Sequence, residues 1–114
     1  MTLKYNRRSV CMGDDINNGI YKITLSDNAT LKDLIGILIN GGCGNTWPIP
    51  MMSDIGWDIY SDIGKIAFIS ADLASISYLS YDEGTFVSSL NISWVFGERE
   101  GHDPDLSMLS KRFG

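Results

Sequence analysis

The 114-residue chain has one histidine, two cysteines and three prolines, and its nine Lys and Arg are outnumbered by fourteen Asp and Glu. Each shortage closes off a class of function. With a net charge of −5, the chain lacks the cations that hold phosphates, which argues against a nucleic-acid ligand or an anionic membrane. Two cysteines make no disulfide framework. Cys11 and Cys43 are expected to be free thiols of a cytoplasmic protein, or a single bridge if they meet. Long apolar runs are also missing: Leu34 to Ile39 is broken by Gly36 and is too short to span a bilayer, and Met1 to Asp15 has no signal-peptide core.

The same scarcity argues against catalysis. A Cys–His nucleophile pair must use His102 with Cys11 or Cys43, and neither cysteine lies in a familiar signature. Zinc-ligand spacing is absent. Gly41-Gly-Cys-Gly44 follows a helix rather than preceding one, so it reads as a cap and turn, not a phosphate cradle. Asp14-Asp15 lacks the alternating oxygens of a calcium loop. We therefore expect no catalytic residue, no metal and no cofactor.

What is present is a core. Hydrophobic residues make up 44% of the chain, with three Trp, five Tyr and four Phe, enough for one domain over residues 1–114. Thr30 to Gly42 carries the strongest pattern: Leu31, Leu34, Ile35 and Leu38 recur at helical spacing behind a Thr30/Asp33 capping pair, and Gly41 or Gly42 stops the run. This predicts a helix over about Leu31 to Asn40. Lys4 to Met12 and Ile20 to Leu25 read as two strands around a turn-rich loop, Gly13 to Gly19. Trp47-Pro-Ile-Pro50 reads as an ordered, extended connection, with Trp47 and Ile49 pinned to the core.

A second hairpin pairs Gly56 to Tyr60 with Lys65 to Ile69, with Trp57, Ile59, Ile66 and Phe68 inward. Ile76 to Tyr81 and Asn91 to Phe96 are further strands, and Thr85 to Leu90 is either strand or loop. In the tail, Asp103 as cap, Pro104 at the first position and Asp105 in the first turn predict a short helix with Leu106, Leu109 and Phe113 on one side. The expected fold is α+β: a mixed or antiparallel sheet of five to six strands packed on one main helix, with a short C-terminal helix, somewhat like a β-grasp domain.

Charge is unevenly placed. From Asp33 to Glu98 there are eight carboxylates and one base, Lys65. Asp54, Asp58, Asp62, Asp82 and Glu83 fall mostly in expected turns and strand ends, where side chains reach solvent, and Tyr60 lies among them. We take these six as a candidate surface for a cationic protein partner.

Two stretches carry a resemblance. Arg8-Ser-Val-Cys-Met-Gly-Asp-Asp15, followed by a polar loop and a short strand, and the Gly97 to Phe113 tail with Asp103-Pro-Asp-Leu106, resemble small bacterial immunity proteins of contact-dependent and polymorphic toxin systems. The resemblance implies a cytoplasmic inhibitor that binds a cognate toxin domain, typically a basic nuclease, and blocks its active site or substrate groove. It carries over no binding residue. A ubiquitin-like regulatory or scaffold module, and a small enzyme of unrecognised type, are the alternative classes.

Overall fold

A computed structural model describes residues 1–8, 20–41, 49–51 and 54–114. The main helix forms where its pattern predicts it, α1 at Leu31–Asn40. Thr30 stays extended. Its hydroxyl accepts from the Asp33 amide, and the Asp33 carboxylate accepts from the Thr30 amide at 2.9 Å. Two otherwise orphaned N–H groups are thus satisfied reciprocally. Gly41 closes the helix at φ +65°, donating its amide to the Ile37 carbonyl at 2.8 Å.

Six strands make one sheet: β1 (Thr2–Arg7), β2 (Tyr21–Thr24), β3 (Trp57–Ser61), β4 (Gly64–Ile69), β5 (Ile76–Tyr78) and β6 (Trp94–Arg99). Their spatial order is β2-β1-β6-β3-β4-β5. Only β1 and β6 run parallel, in register from Lys4↔Trp94 to Arg7↔Gly97; the other neighbours are antiparallel. The sheet is therefore mixed, and the fold is α+β.

Both faces are covered. On one, Leu3, Tyr5, Ile23, Trp57, Ile59, Ile69 and Val95 form a continuous core with Leu31, Leu34, Ile35 and Leu38 of α1. On the other, the short helix α2 (Leu106–Phe113) packs Leu109 and Phe113 on Tyr60, Trp94 and Phe96. The Trp94 and Phe113 rings stack, 5.0 Å between centroids and 10° between planes. This second layer is small, and it leaves the β4–β5 side of its face open.

The differences from the sequence reading have physical causes. Val95 and its neighbours Trp94 and Phe96, which alternate along β6, are all buried, because β6 is central and covered on both faces. β6 also begins later than expected, at Trp94, because Asn91 adopts a left-handed conformation (φ 55°, ψ 34°), and it runs on to Arg99. Phe68 does not face the α1 core: a register shift at Ile59/Tyr60 buries Ile66 and Ala67 and turns Phe68 to the second face. β5 ends at Tyr78, two residues before Ser80, which sits at φ 69°. Residues 85–90 form an isolated bridge, Thr30↔Phe86, and a 3-10 turn at Val87–Leu90. Asp105, not Asp103, caps α2, accepting from the amides of Ser107 (3.0 Å) and Met108 (3.3 Å). β1 ends at Arg7; residues 9–12 of its expected run, together with Asp14, Asp15, Cys11, Cys43 and Trp47, lie outside the described residues.

Tyr5 is wholly buried on the α1 side, and its hydroxyl has no hydrogen-bond partner among the described residues. Burial pushes its phenol well above the ordinary value. Tyr60 and Tyr78 are raised too, each by burial first and then by nearby carboxylates. All three folded-state values lie above the unfolded one, so this contribution to stability is complete below about pH 10 and is lost as pH rises beyond it. Urea midpoints are expected to hold level from pH 7 to 9 and fall above 10. Tyr5→Phe should raise stability at pH 7 by about 1 kcal/mol, by removing an unsatisfied buried hydroxyl, and should shallow the alkaline fall. An unchanged alkaline slope in Tyr5→Phe contradicts this account.

Candidate protein-binding site

The six candidate residues do not form one surface. β3 runs from the sheet end that holds Arg7 and Ile69 to the end that holds Thr2 and Gly64. Asp54 precedes β3 at the first end and is exposed. Asp62 follows β3 at the second end, where its carboxylate accepts from the Ser93 amide (3.1 Å) and hydroxyl (2.8 Å). Asp82 and Glu83 are exposed in a turn pinned to the start of α1, with the Lys32 amide donating to the Glu83 carbonyl at 3.0 Å. Asp58 and Tyr60 lie on the second face, and contrary to expectation both are buried, at 5% and 7% exposure. Alternation marked Asp58 as a solvent-side residue, and it does point away from the α1 core. Neighbouring strands and side chains close over it there.

Around Tyr60 the structure assembles a group that the sequence does not advertise. Asp58 pairs across the sheet with Glu98, which is only 2% exposed. Arg8 holds Glu98 through two nitrogens, Nε to Oε1 at 3.1 Å and Nη2 to Oε2 at 2.8 Å, and lies over the Phe96 ring at 5.7 Å. Lys65 approaches Asp58 at 3.7 Å and the Tyr60 ring at 5.9 Å. Asp58 also accepts from the Gly101 amide at 3.3 Å, and Glu100 accepts from the Gly56 amide at 2.9 Å. The Tyr60 phenol is pushed up by burial and by the negative charge of Asp58, Asp103 and Glu98. Asp58 and Glu98 are thus paired side by side in the sheet, and Asp58, Glu100 and Asp103 border one cleft.

Two clefts flank this group and share Asp103. One, about 490 Å³, is lined by Asp58, Lys65, Phe68, Leu79 and Glu100 among others. The second, about 350 Å³, lies between Arg8, Phe96 and the start of α2. The bases that answer the two buried acids are themselves about half in water, at 40% for Lys65 and 52% for Arg8. Their outer halves face the solvent from which a charged partner would approach. The chemistry on offer is thus recognition of positive charge beside an aromatic floor of Tyr60, Phe68 and Phe96.

His102 is exposed in the turn after β6, its amide donating to the Arg99 carbonyl at 3.1 Å. Among the described residues, no three His, Cys, Asp or Glu side chains are grouped to hold a metal ion, and no helix is long and apolar enough to cross a membrane. Glu98, Glu100 and Asp103 were missed as site residues. Glu98 sits at the far limit of the acidic middle and the other two lie beyond it, and the β3–β6 register together with the turn at Gly101 brings them to Asp58. No protein-family model matches the chain, and neither a curated protein nor a solved structure does.

Proposed function

We propose that the chain is an immunity-type inhibitor that binds a basic toxin domain and occludes its active site or substrate groove. The observation that supports this best is the buried pair Asp58 and Glu98, side by side in the sheet, next to an open cleft that Asp58, Glu100 and Asp103 line. Acid-rich recognition suits a partner whose own ligand is a polyanion, because the inhibitor presents the same sign of charge to the same groove. The net charge of −5 favours the same encounter at long range.

The test is binding to the toxin domain encoded beside this chain, followed by stopped-flow kinetics at low and high salt. Asp103→Lys, at an exposed position on the rim, is expected to slow association several-fold at low salt and to flatten its salt dependence, since screening acts over about 8–10 Å. Asp58→Asn removes a buried charge and should act on dissociation instead, weakening binding by about 2–5 kcal/mol if a toxin Lys or Arg reaches it. A neighbouring gene that encodes no toxin, or a toxin domain that does not bind the wild-type chain, overturns the reading.

A further inference from the structure

The end of the sheet that carries the β3–β4 turn has a second feature. Ile63 in that turn is 45% exposed, and Tyr81 and Phe86, at 38% and 52%, flank the turn Asp82–Thr85. The register brings them to one end. β4 starts directly after Ile63, and the chain leaves β5 with the Leu79 amide bonded to the Ile66 carbonyl at 3.0 Å, heading for that same end. Among the described residues, the other large exposed hydrophobics are single: Ile20 and Met51 lie near the opposite end, and Met108 is on α2.

The backbone that carries these aromatics is held firmly. Amides of Leu31 and Lys32 donate to the carbonyls of Thr85 and Glu83 at 2.9 and 3.0 Å, and the Val87 amide donates to the Ala29 carbonyl at 2.9 Å. The same bonds use up the first amides of α1, so this is no anion site. A rigid backbone loses little freedom on binding, which is what an anchor residue needs. Acids border it: Asp82 and Glu83 are exposed between the two aromatics, and the Asp27 carboxylate is 91% exposed. The chain that carries Tyr81 leaves from the cleft itself, since Leu79, two residues earlier, lines it.

We propose that Tyr81 and Phe86 are the apolar anchors of the interface, entering a depression on a basic protein surface whose Lys and Arg meet Asp82 and Glu83, while the partner straddles the β5 end to reach the cleft. This rests on the reading of the chain as an inhibitor of a basic toxin domain. The rim acids would set the association rate and the aromatics the residence time.

The test uses the full chain and the neighbouring toxin domain. Phe86→Ala and Tyr81→Ala are each expected to raise the dissociation rate at least tenfold with urea midpoints near wild type, and Asp82→Lys to slow association several-fold. Ile20→Ala, an equal truncation at the opposite end, should change neither rate. Wild-type binding with unchanged dissociation in both aromatic variants overturns this proposal and leaves the function standing. An equal loss in Ile20→Ala also overturns it, as does a wild-type dimer in sedimentation that Phe86→Ala dissolves, since the occupant would then be a second copy. No binding by the wild type overturns both readings.

Discussion

Leu38→Ala is expected to destabilise the domain by about 2–5 kcal/mol, as truncations at closely packed core positions do. Leu38 is fully buried in the last turns of α1, on the stripe shared with Leu31, Leu34 and Ile35. Its carbonyl also accepts from the Ile49 amide at 2.7 Å, which ties the returning connection to the helix end. The site has little means of collapsing, because strands lie below the helix and Ile49, itself 1% exposed, sits in the same cluster. Most of the cavity would remain. A net stability of 5–15 kcal/mol is usual for a domain, so the loss removes a large share of it. Urea unfolding followed by tryptophan fluorescence measures this directly, and a change below 1 kcal/mol would mean that the helix is not clamped as described.

Gly56→Ala is the second large effect, and it works by crowding. A methyl group at Gly56 would run into the Ile69 carbonyl oxygen and come within 2.8 Å of the Phe68 ring. The ring can turn, but the carbonyl belongs to the β3–β4 ladder, where Ile69 pairs with Trp57. Glu100 ties Gly56 on the other side: the Gly56 amide donates to its carboxylate, and the Glu100 amide donates to the Gly56 carbonyl at 3.0 Å. With both neighbours fixed, the backbone must shift, at a cost of about 1–3 kcal/mol or more. The same shift would move Asp58 and the Gly101 turn that bonds it. Loss of binding should therefore accompany loss of stability. Phe68→Ala in the same chain relieves only the ring contact and is expected to recover little. Wild-type stability in Gly56→Ala would show that the β3 entry is looser than this geometry.

The helix was legible because everything that makes it is local. Apolar spacing, a Thr/Asp pair three apart and a terminal glycine are all read along the chain, and Leu31–Asn40 follows from them. The hairpin β3–β4 was legible for the same reason, within one residue at each inner end. The tail was half legible: Asp103-Pro-Asp105 presents two acids able to cap, and only the geometry selects Asp105. Sheet order was not legible. Parallel pairing of β1 with β6 depends on residues some ninety positions apart, such as Lys4 and Trp94. The site inherits that blindness. Asp58, Glu98 and Asp103 become neighbours through pairing and chain reversal, and nothing local distinguishes a buried carboxylate from a solvated one in an alternating strand. Of the candidate acids, Asp62 turned out to serve the fold, by holding Ser93 at the approach to β6.

The pairing of β1 with β6 has a consequence for how the protein is made. Among the described residues, β6 is the only strand that joins the β2–β1 pair to the β3–β4–β5 meander. Until Trp94–Arg99 is available, α1 has two unconnected half-floors to rest on, and neither half has the second face that Phe96 and Trp94 provide. Synthesis proceeds at about 5–20 residues per second, so the first strand waits roughly 5–18 seconds for its central neighbour, with Leu3 and Tyr5 uncovered meanwhile. Closing so long a loop is also a slow step in refolding. A nascent chain stalled before Trp94 is thus an aggregation hazard rather than a small working domain, and it would offer chaperones and proteases a window that closes only when the last strand slides in.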